Sequence, residues 1–291
     1  MRISQLLQEG MEVLKAAGIE HPEPDIHLLL GRALQKNRTE LFLDAKQQVS
    51  EAGHTLFLNF LARRQQREPT AYILGEREFW SRSFHVSRDV LIPRPETEFL
   101  LETVFSISKK EGKQYGGPVV DVCCGSGVIA VILALELNTE VLGIELSGKA
   151  LGVARKNLML HRVEDRVSLV QGDLLQGLLS QPCVSLIVSN PPYVSENDLA
   201  HSLEPEVAEY EPYTALDGGA EGLEIIQQLR VLVRERLLPG GLFFMEIGAD
   251  QGRAVKAMFS DPYGGSGPFD RVEIKCDYAG RDRVLVAGLD E

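Results

Sequence analysis

The sequence contains no long apolar run and no secretory leader pattern. A membrane-spanning helix needs about 18 or more consecutive apolar residues, and no such stretch occurs, so we expect no contact with a membrane. The opening residues, MRISQLLQEGMEVLKAAG, carry acidic side chains and lack the apolar centre and the small-residue cleavage site of a signal peptide. We therefore expect a cytoplasmic protein.

Cysteine and histidine are also scarce. The four cysteines, Cys123, Cys124, Cys183 and Cys276, form no CxxC pair, and the six histidines are scattered. Structural zinc sites use closely spaced cysteine and histidine ligands, so we expect no metal. A disulfide framework is not expected either, because such frameworks are typical of short secreted domains.

Basic charge is in deficit, with 30 lysine and arginine residues against 42 acidic ones and a net charge of −12. Nucleic-acid binding depends on lysine and arginine neutralising phosphates, so direct DNA binding is not expected. Arg63, Arg64 and Arg67 form a local basic cluster. We interpret this cluster as the solvent-exposed face of a helix.

The 291 residues are enough for one large domain or two of moderate size. Apolar residues recur at helical spacing over residues 1–75, which predicts a small helical bundle. The segment FWSRSFHVSRDVLI then alternates in part, with a polar turn at 87–89, and predicts a β-hairpin within a linker, residues 76–100. Pro95 and the acidic residues after it suit the first turn of a helix.

Strands and helices alternate in the remainder of the chain, residues 101–291. The predicted strands are PVVDVCC, EVLGIEL, VSLVQGDLL, VSLIVSN and GGLFFMEIG, followed by RVEIKCDYAG and DRVLVAGLD, which are close enough to pair. Alternating βα units indicate an α/β fold. We predict a Rossmann-like, doubly wound, mostly parallel sheet that ends in an antiparallel hairpin.

Polar groups follow successive predicted strands. Gly125 and Gly127 lie in DVCCGSGVIA between a strand and a helix, where glycine lets a ligand approach the backbone at a helix N-terminus. Glu145 ends the next strand and Asp173 the one after it. Carboxyl ends of parallel strands form the binding crevice of such sheets. The set favours a nucleoside cofactor and leaves a nicotinamide and S-adenosylmethionine both open.

The segment SNPPY follows the next predicted strand, at the same edge of the sheet. Pro191 and Pro192 make a rigid corner without N–H donors, so nearby carbonyl groups are available as acceptors. Asn190 adds a side-chain acceptor, and Tyr193 offers a flat ring. This corner suits a planar group that carries an NH2, held so that its nitrogen faces an electrophilic methyl group.

An Asn-Pro-Pro-Tyr corner resembles that of amino-group methyltransferases, including those that modify the adenine amine. The chain also contains TAYILGEREFW at 70–80, VLIPRPETE at 90–98, EP at 211–212, ALDGGAEGL at 215–223 and EIGADQG at 246–252. Together these motifs resemble the release-factor glutamine N5-methyltransferases of the PrmC/HemK family.

The resemblance implies an enzyme that uses S-adenosylmethionine and no metal. It implies methylation of the glutamine side-chain amide in the Gly-Gly-Gln motif of class I peptide-chain release factors, with residues 1–75 recognising the partner. The implied cofactor-binding residues are Cys123, Cys124, Gly125, Ser126, Gly127, Glu145, Asp173, Leu174 and Asn190. The implied substrate-binding residues are Asn190, Pro191, Pro192 and Tyr193, of which Asn190, Pro191 and Tyr193 are catalytic.

Two departures from the family pattern lie in the cofactor region. The family's loop usually has glycine and then threonine where this chain has Cys123 and Cys124, and Glu145 replaces a commoner aspartate. Because a β-carbon makes positive φ costly, we expect Cys123 to adopt a negative φ. Two alternatives are an adenine-amine methyltransferase acting on DNA or RNA and a cofactor-binding module without catalysis.

Overall fold

The computed structural model describes residues 1–261 and 267–291. They divide into two compact units, one formed by Met1–Glu76 with Glu204–Tyr210 and the other by Arg77–Leu203 with Glu211–Glu291. The roles expected for residues 1–75, 76–100 and 101–291 stay predictions. Within the described ranges, no helix is both long enough and apolar enough to cross a membrane.

Helices alone form the first quarter of the chain, and strands then alternate with helices over most of the remaining described residues. The helices are α1 (Ile3–Ala16), α2 (Glu23–Leu34), α3 (Arg38–Leu43), α4 (Glu51–Gln65), α5 (Thr70–Leu74), α6 (Pro95–Lys110), α7 (Val128–Glu136), α8 (Gly148–His161), α9 (Glu196–His201), α10 (Pro205–Tyr210), α11 (Glu224–Arg236) and α12 (Gly252–Ser260). The strands are β1 (Glu76–Phe79), β2 (Arg82–His85), β3 (Val119–Val122), β4 (Val141–Glu145), β5 (Val167–Gln171), β6 (Val184–Ser189), β7 (Leu237–Glu246), β8 (Arg271–Cys276) and β9 (Asp282–Gly288). A short 3-10 helix covers Tyr213–Ala215.

In the first unit, helices α1, α2 and α4 pack around fully buried apolar side chains such as Leu6, Leu30 and Phe57. This agrees with the helical periodicity of the sequence. The short helix α3 was not predicted. It begins at a capping box, in which the Asn37 side chain accepts from the Glu40 backbone N–H and the Glu40 carboxylate accepts from that of Asn37.

The arginine cluster is not a solvent-exposed face, so that prediction was wrong. Arg64 is buried and pairs with Asp25 at 2.7 Å and with Glu206 of α10 at 2.8 Å. Arg67 pairs with Glu206 as well, and Arg63 pairs with Glu68 at 2.8 Å. The three guanidinium groups are therefore paired with carboxylates within the first unit.

The second unit confirms the predicted fold. Its sheet has the order β5-β4-β3-β6-β7-β9-β8. The strands from β5 to β7 pair in parallel, and β9 pairs antiparallel with both β7 and β8. Alternate residues of β3 point to opposite faces, with Val119 in one apolar cluster and Val120 in the other. Helices cover both faces, as in other doubly wound sheets.

The β-hairpin exists, but its turn lies earlier than the sequence indicated. β1 and β2 are joined by Trp80 and Ser81, which both have positive φ, at +54° and +55°. A two-residue loop with both φ values positive matches the twist of the flanking strands. The predicted turn at 87–89 is instead part of the loop that leads to α6. α6 begins at Pro95, as predicted.

Candidate active site

A cavity of about 280 Å³ lies at the carboxyl edge of the parallel strands of the second unit. β3 lies between β4 and β6, and the chain runs outward from β3 through β4 to β5 on one side and from β6 to β7 on the other, so the strand order reverses between β3 and β6. Such a point leaves a crevice outside the strand ends, where ligands bind in open α/β sheets. The residues that follow β3, β4, β5 and β6 all contribute to its wall.

Most of the predicted site residues line this one cavity. They are Cys123, Cys124, Gly125, Ser126, Glu145, Asp173, Leu174, Asn190 and Pro192. Gly127, Pro191 and Tyr193 are not part of its lining but adjoin residues that are. The functional roles of all these residues stay predictions.

The glycine loop depends on a left-handed backbone and a close helix contact. Gly125 and Gly127 have φ values of +53° and +80°, and Gly127 is the N-cap residue directly before α7. A β-carbon on Gly127 would lie 3.2 Å from the Ala154 β-carbon of α8. Glycine therefore permits both the turn and the packing of α7 against α8.

Asp121 ties the strand before this loop to the helix after it. Its Oδ2 accepts from the Ala130 backbone N–H at 2.9 Å, and the side chain is fully buried. Burial raises the pKa of Asp121 well above its usual value, which favours the protonated carboxyl group. Asp121 therefore holds the end of β3 and the start of α7 together and so positions the loop between them.

Glu145 is engaged by backbone donors on two sides of the cavity. Its Oε2 accepts from the Gly125 N–H at 2.8 Å, and its Oε1 accepts from the Ser147 N–H at 2.9 Å. Each carboxylate oxygen has a second lone pair that can accept from a ligand hydroxyl. Glu145 thus holds the glycine loop against the end of β4 and keeps acceptor capacity at the cavity wall.

Cys123 adopts φ = +61°, so the expected negative φ was wrong. The residue follows β3 and must turn the chain into the cavity loop, a position where glycine would be unstrained. For a residue with a β-carbon, the left-handed conformation costs about 1–2 kcal/mol. Glycine at this position would avoid this strain, because it has no β-carbon.

We predict that Cys123→Gly retains cofactor binding and that Cys123→Leu weakens it at least tenfold. Glycine relieves the left-handed strain, so the unfolding free energy should stay within about 1 kcal/mol of the wild type. Leucine keeps the strain and adds bulk to the cavity wall. Titration calorimetry with S-adenosylmethionine measures the affinity of both variants. Cys276→Leu, at an exposed cysteine, is the control.

The same variants separate a packing role from a redox role for the thiol. Burial raises the pKa of the Cys123 and Cys124 thiols, which keeps the reactive thiolate scarce. Unchanged affinity in Cys123→Leu would contradict the predicted placement of this residue beside the expected cofactor. Reversible inactivation of the wild type by mild oxidant, absent from Cys123→Gly, would instead indicate a thiol switch.

The proline corner places Asn190 in the cavity wall with a defined orientation of its amide. The Asn190 Nδ2 donates to the Thr97 Oγ1 at 3.1 Å. Its Oδ1 has no donor among the described residues of the chain. The amide oxygen is therefore the free hydrogen-bonding group at this position and can accept an N–H from a ligand.

Tyr193 is held by hydrogen bonds at its side-chain hydroxyl and at its backbone carbonyl. Its hydroxyl donates to Glu246 Oε1 at 3.1 Å, and its carbonyl accepts from the Gln251 Nε2 at 2.9 Å. Burial raises the pKa of the phenol, so the hydroxyl stays protonated and remains a donor. The anchoring holds the ring beside the corner and leaves it little rotational freedom.

Sequence reasoning missed two other walls of the cavity. Residues 89–91 and Pro93 line it from the segment before α6, and Pro212, Thr214 and Asp217 line it from the segment around the 3-10 helix. Glu211 joins these segments, since its buried carboxylate accepts from the Ile92 N–H at 3.3 Å and pairs with Arg94. Most of these residues belong to the motifs VLIPRPETE, EP and ALDGGAEGL, which was their signal in the sequence, whereas Asp89 and Thr214 lie just outside the motifs.

Comparison with known proteins gives matches over nearly the whole chain. Residues 5–75 match the PrmC N-terminal domain, and residues 95–211 match the methyltransferase small domain. The release factor glutamine methyltransferase of Clostridium botulinum is 37% identical over 290 residues, covering 99% of each chain. That of Nitratidesulfovibrio vulgaris is 37% identical over 283 residues, covering 97% of this chain and 93% of the relative.

Solved methyltransferase structures share the fold at low sequence identity. The hMettl16 catalytic domain in complex with the MAT2A 3'UTR hairpin 6 superposes with a TM-score of 0.56 and 16% identity, over 80% of this chain and 83% of that one. The Thermus thermophilus 16S rRNA N2 G1207 methyltransferase, in complex with AdoMet and guanosine, gives a TM-score of 0.51 and 19% identity. The superposition covers 74% of this chain and 49% of that one. At these identities the likeness shows the fold alone.

Proposed function

The chain belongs to the release factor glutamine methyltransferase family and is a methyltransferase, and we propose that it uses S-adenosylmethionine to methylate N5 of a glutamine. The proposed glutamine is that of the Gly-Gly-Gln motif in class I peptide-chain release factors. The observation that carries the proposal is the Asn190 amide, whose nitrogen is engaged by Thr97 and whose oxygen is free at the cavity wall.

The proposed substrate contacts follow from the hydrogen-bonding capacity of the corner. Asn190 Oδ1 accepts one N–H of the glutamine side-chain amide, and the backbone carbonyl of Pro191 accepts the other. Pro192 keeps the corner rigid, and the Tyr193 ring packs against the amide plane. These contacts orient the amide nitrogen, whose lone pair is otherwise delocalised into the carbonyl group.

The cavity wall has the chemistry that S-adenosylmethionine requires. Acceptor capacity on Glu145 suits the ribose hydroxyls, the apolar side chain of Leu174 suits the adenine, and the backbone of 123–127 suits the amino-acid portion. Asp173 adds a second carboxylate to the wall, and Asn190 adjoins both ligands. Bound there, S-adenosylmethionine supplies a methyl group whose carbon–sulfur bond is replaced by a carbon–nitrogen bond, while the electron pair stays on sulfur and one amide proton is released.

We propose that the helical segment 1–75 recognises the body of the release factor. A single amide offers too little surface to select one protein, so a second contact surface is required. The first unit exposes two adjacent apolar side chains at the end of α3, with Phe42 79% and Leu43 74% exposed. Large exposed apolar groups are suited to a protein contact.

Replacing Phe42 and Leu43 together with serine is therefore expected to lower kcat/KM on an intact release factor at least tenfold. The rate on a free peptide carrying the Gly-Gly-Gln loop should not change, because the loop engages only the cavity. Met159→Ser with Leu160→Ser, at exposed apolar positions of the second unit, is the matched control. An equal loss on protein and peptide, or no loss on the protein, would contradict this role.

The direct test supplies labelled S-adenosylmethionine with an intact release factor, its free loop peptide, a release factor whose motif glutamine is alanine, and duplex DNA. We expect label on the intact factor, less on the peptide and none on the alanine variant or on DNA. Mass spectrometry should place the added methyl group on the glutamine side chain. Label on DNA alone would favour the adenine-amine alternative and overturn the proposal.

A further inference from the structure

Two of the sequence motifs, VLIPRPETE and EIGADQG, have as yet no chemical task in the site. In the second unit they meet beside the proline corner, where Thr97, in the first turn of α6 and part of the cavity wall, contacts Glu246 at the end of β7. Both side chains are buried, at 2% and 1% exposure. Burying a hydroxyl and a carboxylate together is costly unless each is hydrogen-bonded, so their partners are informative.

The two side chains link both polar groups of the corner. Thr97 Oγ1 donates to Glu246 Oε2 at 2.7 Å and accepts from Asn190 Nδ2 at 3.1 Å. Tyr193 Oη donates to Glu246 Oε1 at 3.1 Å. One buried carboxylate therefore receives hydrogen bonds from Tyr193 directly and from Thr97, which in turn holds Asn190.

This arrangement gives the hydrogen bonds a single direction. The Thr97 hydroxyl has one hydrogen, and Glu246 accepts it, so only the lone pairs of Oγ1 remain for Asn190. Oγ1 can then accept a hydrogen bond from the Asn190 NH2 group, but it cannot donate one to the Asn190 oxygen. If the Asn190 amide were rotated by 180°, its Oδ1 would face the lone pairs of Thr97 Oγ1. Both atoms are acceptors, so no hydrogen bond would form between them. The Asn190 oxygen is consequently directed away from Thr97.

The geometry at Glu246 carries this direction. Each of its two oxygens faces one hydroxyl, Oε2 that of Thr97 and Oε1 that of Tyr193. Burial raises the pKa of Glu246, and these two hydrogen bonds together with the charge of Arg283 act against that rise, while Glu96 adds to it. In the carboxylate form Glu246 can only accept hydrogen bonds, and Thr97 and Tyr193 are then both donors toward it.

We propose that Thr97 and Glu246 are positioning residues that keep the Asn190 side-chain oxygen aimed at the substrate amide. The inference rests on the proposed function for the identity of that amide. It concerns the orientation of Asn190 in the free protein, so it can be tested separately from the reaction. Neither Thr97 nor Glu246 needs to touch the reacting atoms for this role.

The test compares three variants of the full chain with the wild type. Thr97→Val removes the hydroxyl at nearly constant shape, Thr97→Ser retains it, and Thr103→Val is the matched control. Thr103 lies in the same helix, is 8% exposed, and donates only to the Phe99 carbonyl at 2.8 Å. For each protein we would measure kcat and KM on a release factor, Kd for S-adenosylmethionine, Tm, and the NMR signals of the Asn190 side-chain NH2.

In Thr97→Val we expect kcat to fall at least tenfold, with KM and the cofactor Kd within about twofold of the wild type. The Asn190 NH2 signals should lose their protection from solvent exchange. Thr97→Ser should keep kcat and the exchange protection of the Asn190 NH2 signals near those of the wild type. Thr103→Val should lower Tm without changing kcat or the exchange protection. A wild type that fails to methylate release factors would overturn the proposed function, and the NMR signals would still decide the orientation.

Two outcomes would overturn the positioning role itself. One is an unchanged Asn190 NH2 signal in Thr97→Val, which would show that Thr97 does not hold the amide. The other is a loss of kcat in Thr97→Val, Thr97→Ser and Thr103→Val that follows their Tm values, which would show that α6 acts through stability alone.

Discussion

Asn190→Ala is expected to lower kcat at least about a hundredfold while leaving the affinity for S-adenosylmethionine within a few fold of the wild type. The variant removes the free acceptor at the cavity wall, and an unpaired buried amide N–H costs about 1–3 kcal/mol. Loss of alignment adds to that cost. Since about 1.36 kcal/mol corresponds to a factor of ten in rate, the two effects together reach the expected loss.

Single-turnover kinetics on a release factor, together with cofactor titration, measures the two quantities separately. Asn197→Ala is the matched control, because Asn197 lies in α9, seven positions after Asn190 and outside the cavity lining. It should show wild-type rates. A rate for Asn190→Ala within threefold of the wild type would exclude the proposed role of its side-chain oxygen.

The parallel sheet and the position of the site could be predicted from sequence because both depend on local patterns. Apolar runs of strand length alternate with helical periodicity, and this order indicates an α/β fold with a parallel sheet. Polar residues such as Glu145 and Asn190 directly follow such runs. Strand ends of a parallel sheet share one edge, so no knowledge of packing was needed to place these residues together.

The errors occurred where backbone conformation or distant partners decide the outcome. Cys123 adopts positive φ despite its β-carbon, because the loop after β3 must turn there. The hairpin turn at Trp80 and Ser81 carries neither glycine nor asparagine, so the usual signal for two positive φ values was absent. Arg64 is buried by Asp25 and Glu206, which lie 39 and 142 positions away in the sequence.

The hydrogen bonds that join Thr97, Glu246 and the proline corner could not be found from sequence for a related reason. Thr97 and Glu246 are 149 positions apart, and neither follows a recognised catalytic spacing. Their motifs were visible only through resemblance to a family, which gives no physical reason for either residue. The reason appears once β7 and α6 are packed, since the end of one then meets the first turn of the other.

Glu145→Ala is expected to raise the Kd for S-adenosylmethionine at least about a hundredfold, with a much smaller effect on kcat at saturating cofactor. The carboxylate holds the Gly125 and Ser147 backbone N–H groups, at 2.8 and 2.9 Å, and its remaining lone pairs are the proposed acceptors for the ribose hydroxyls. Alanine removes these hydrogen bonds together, and hydrogen bonds to a charged group contribute about 1.5–3 kcal/mol each.

Titration calorimetry on the purified variants distinguishes this local effect from a general effect of lost charge. Glu140→Ala is the control, because Glu140 is an exposed acid directly before β4, and it should bind cofactor like the wild type. Glu145→Asp should lie between the two, since aspartate keeps the charge but reaches less far toward both backbone donors. A Kd for Glu145→Ala within threefold of the wild type would show that this carboxylate only supports the glycine loop and does not bind the cofactor.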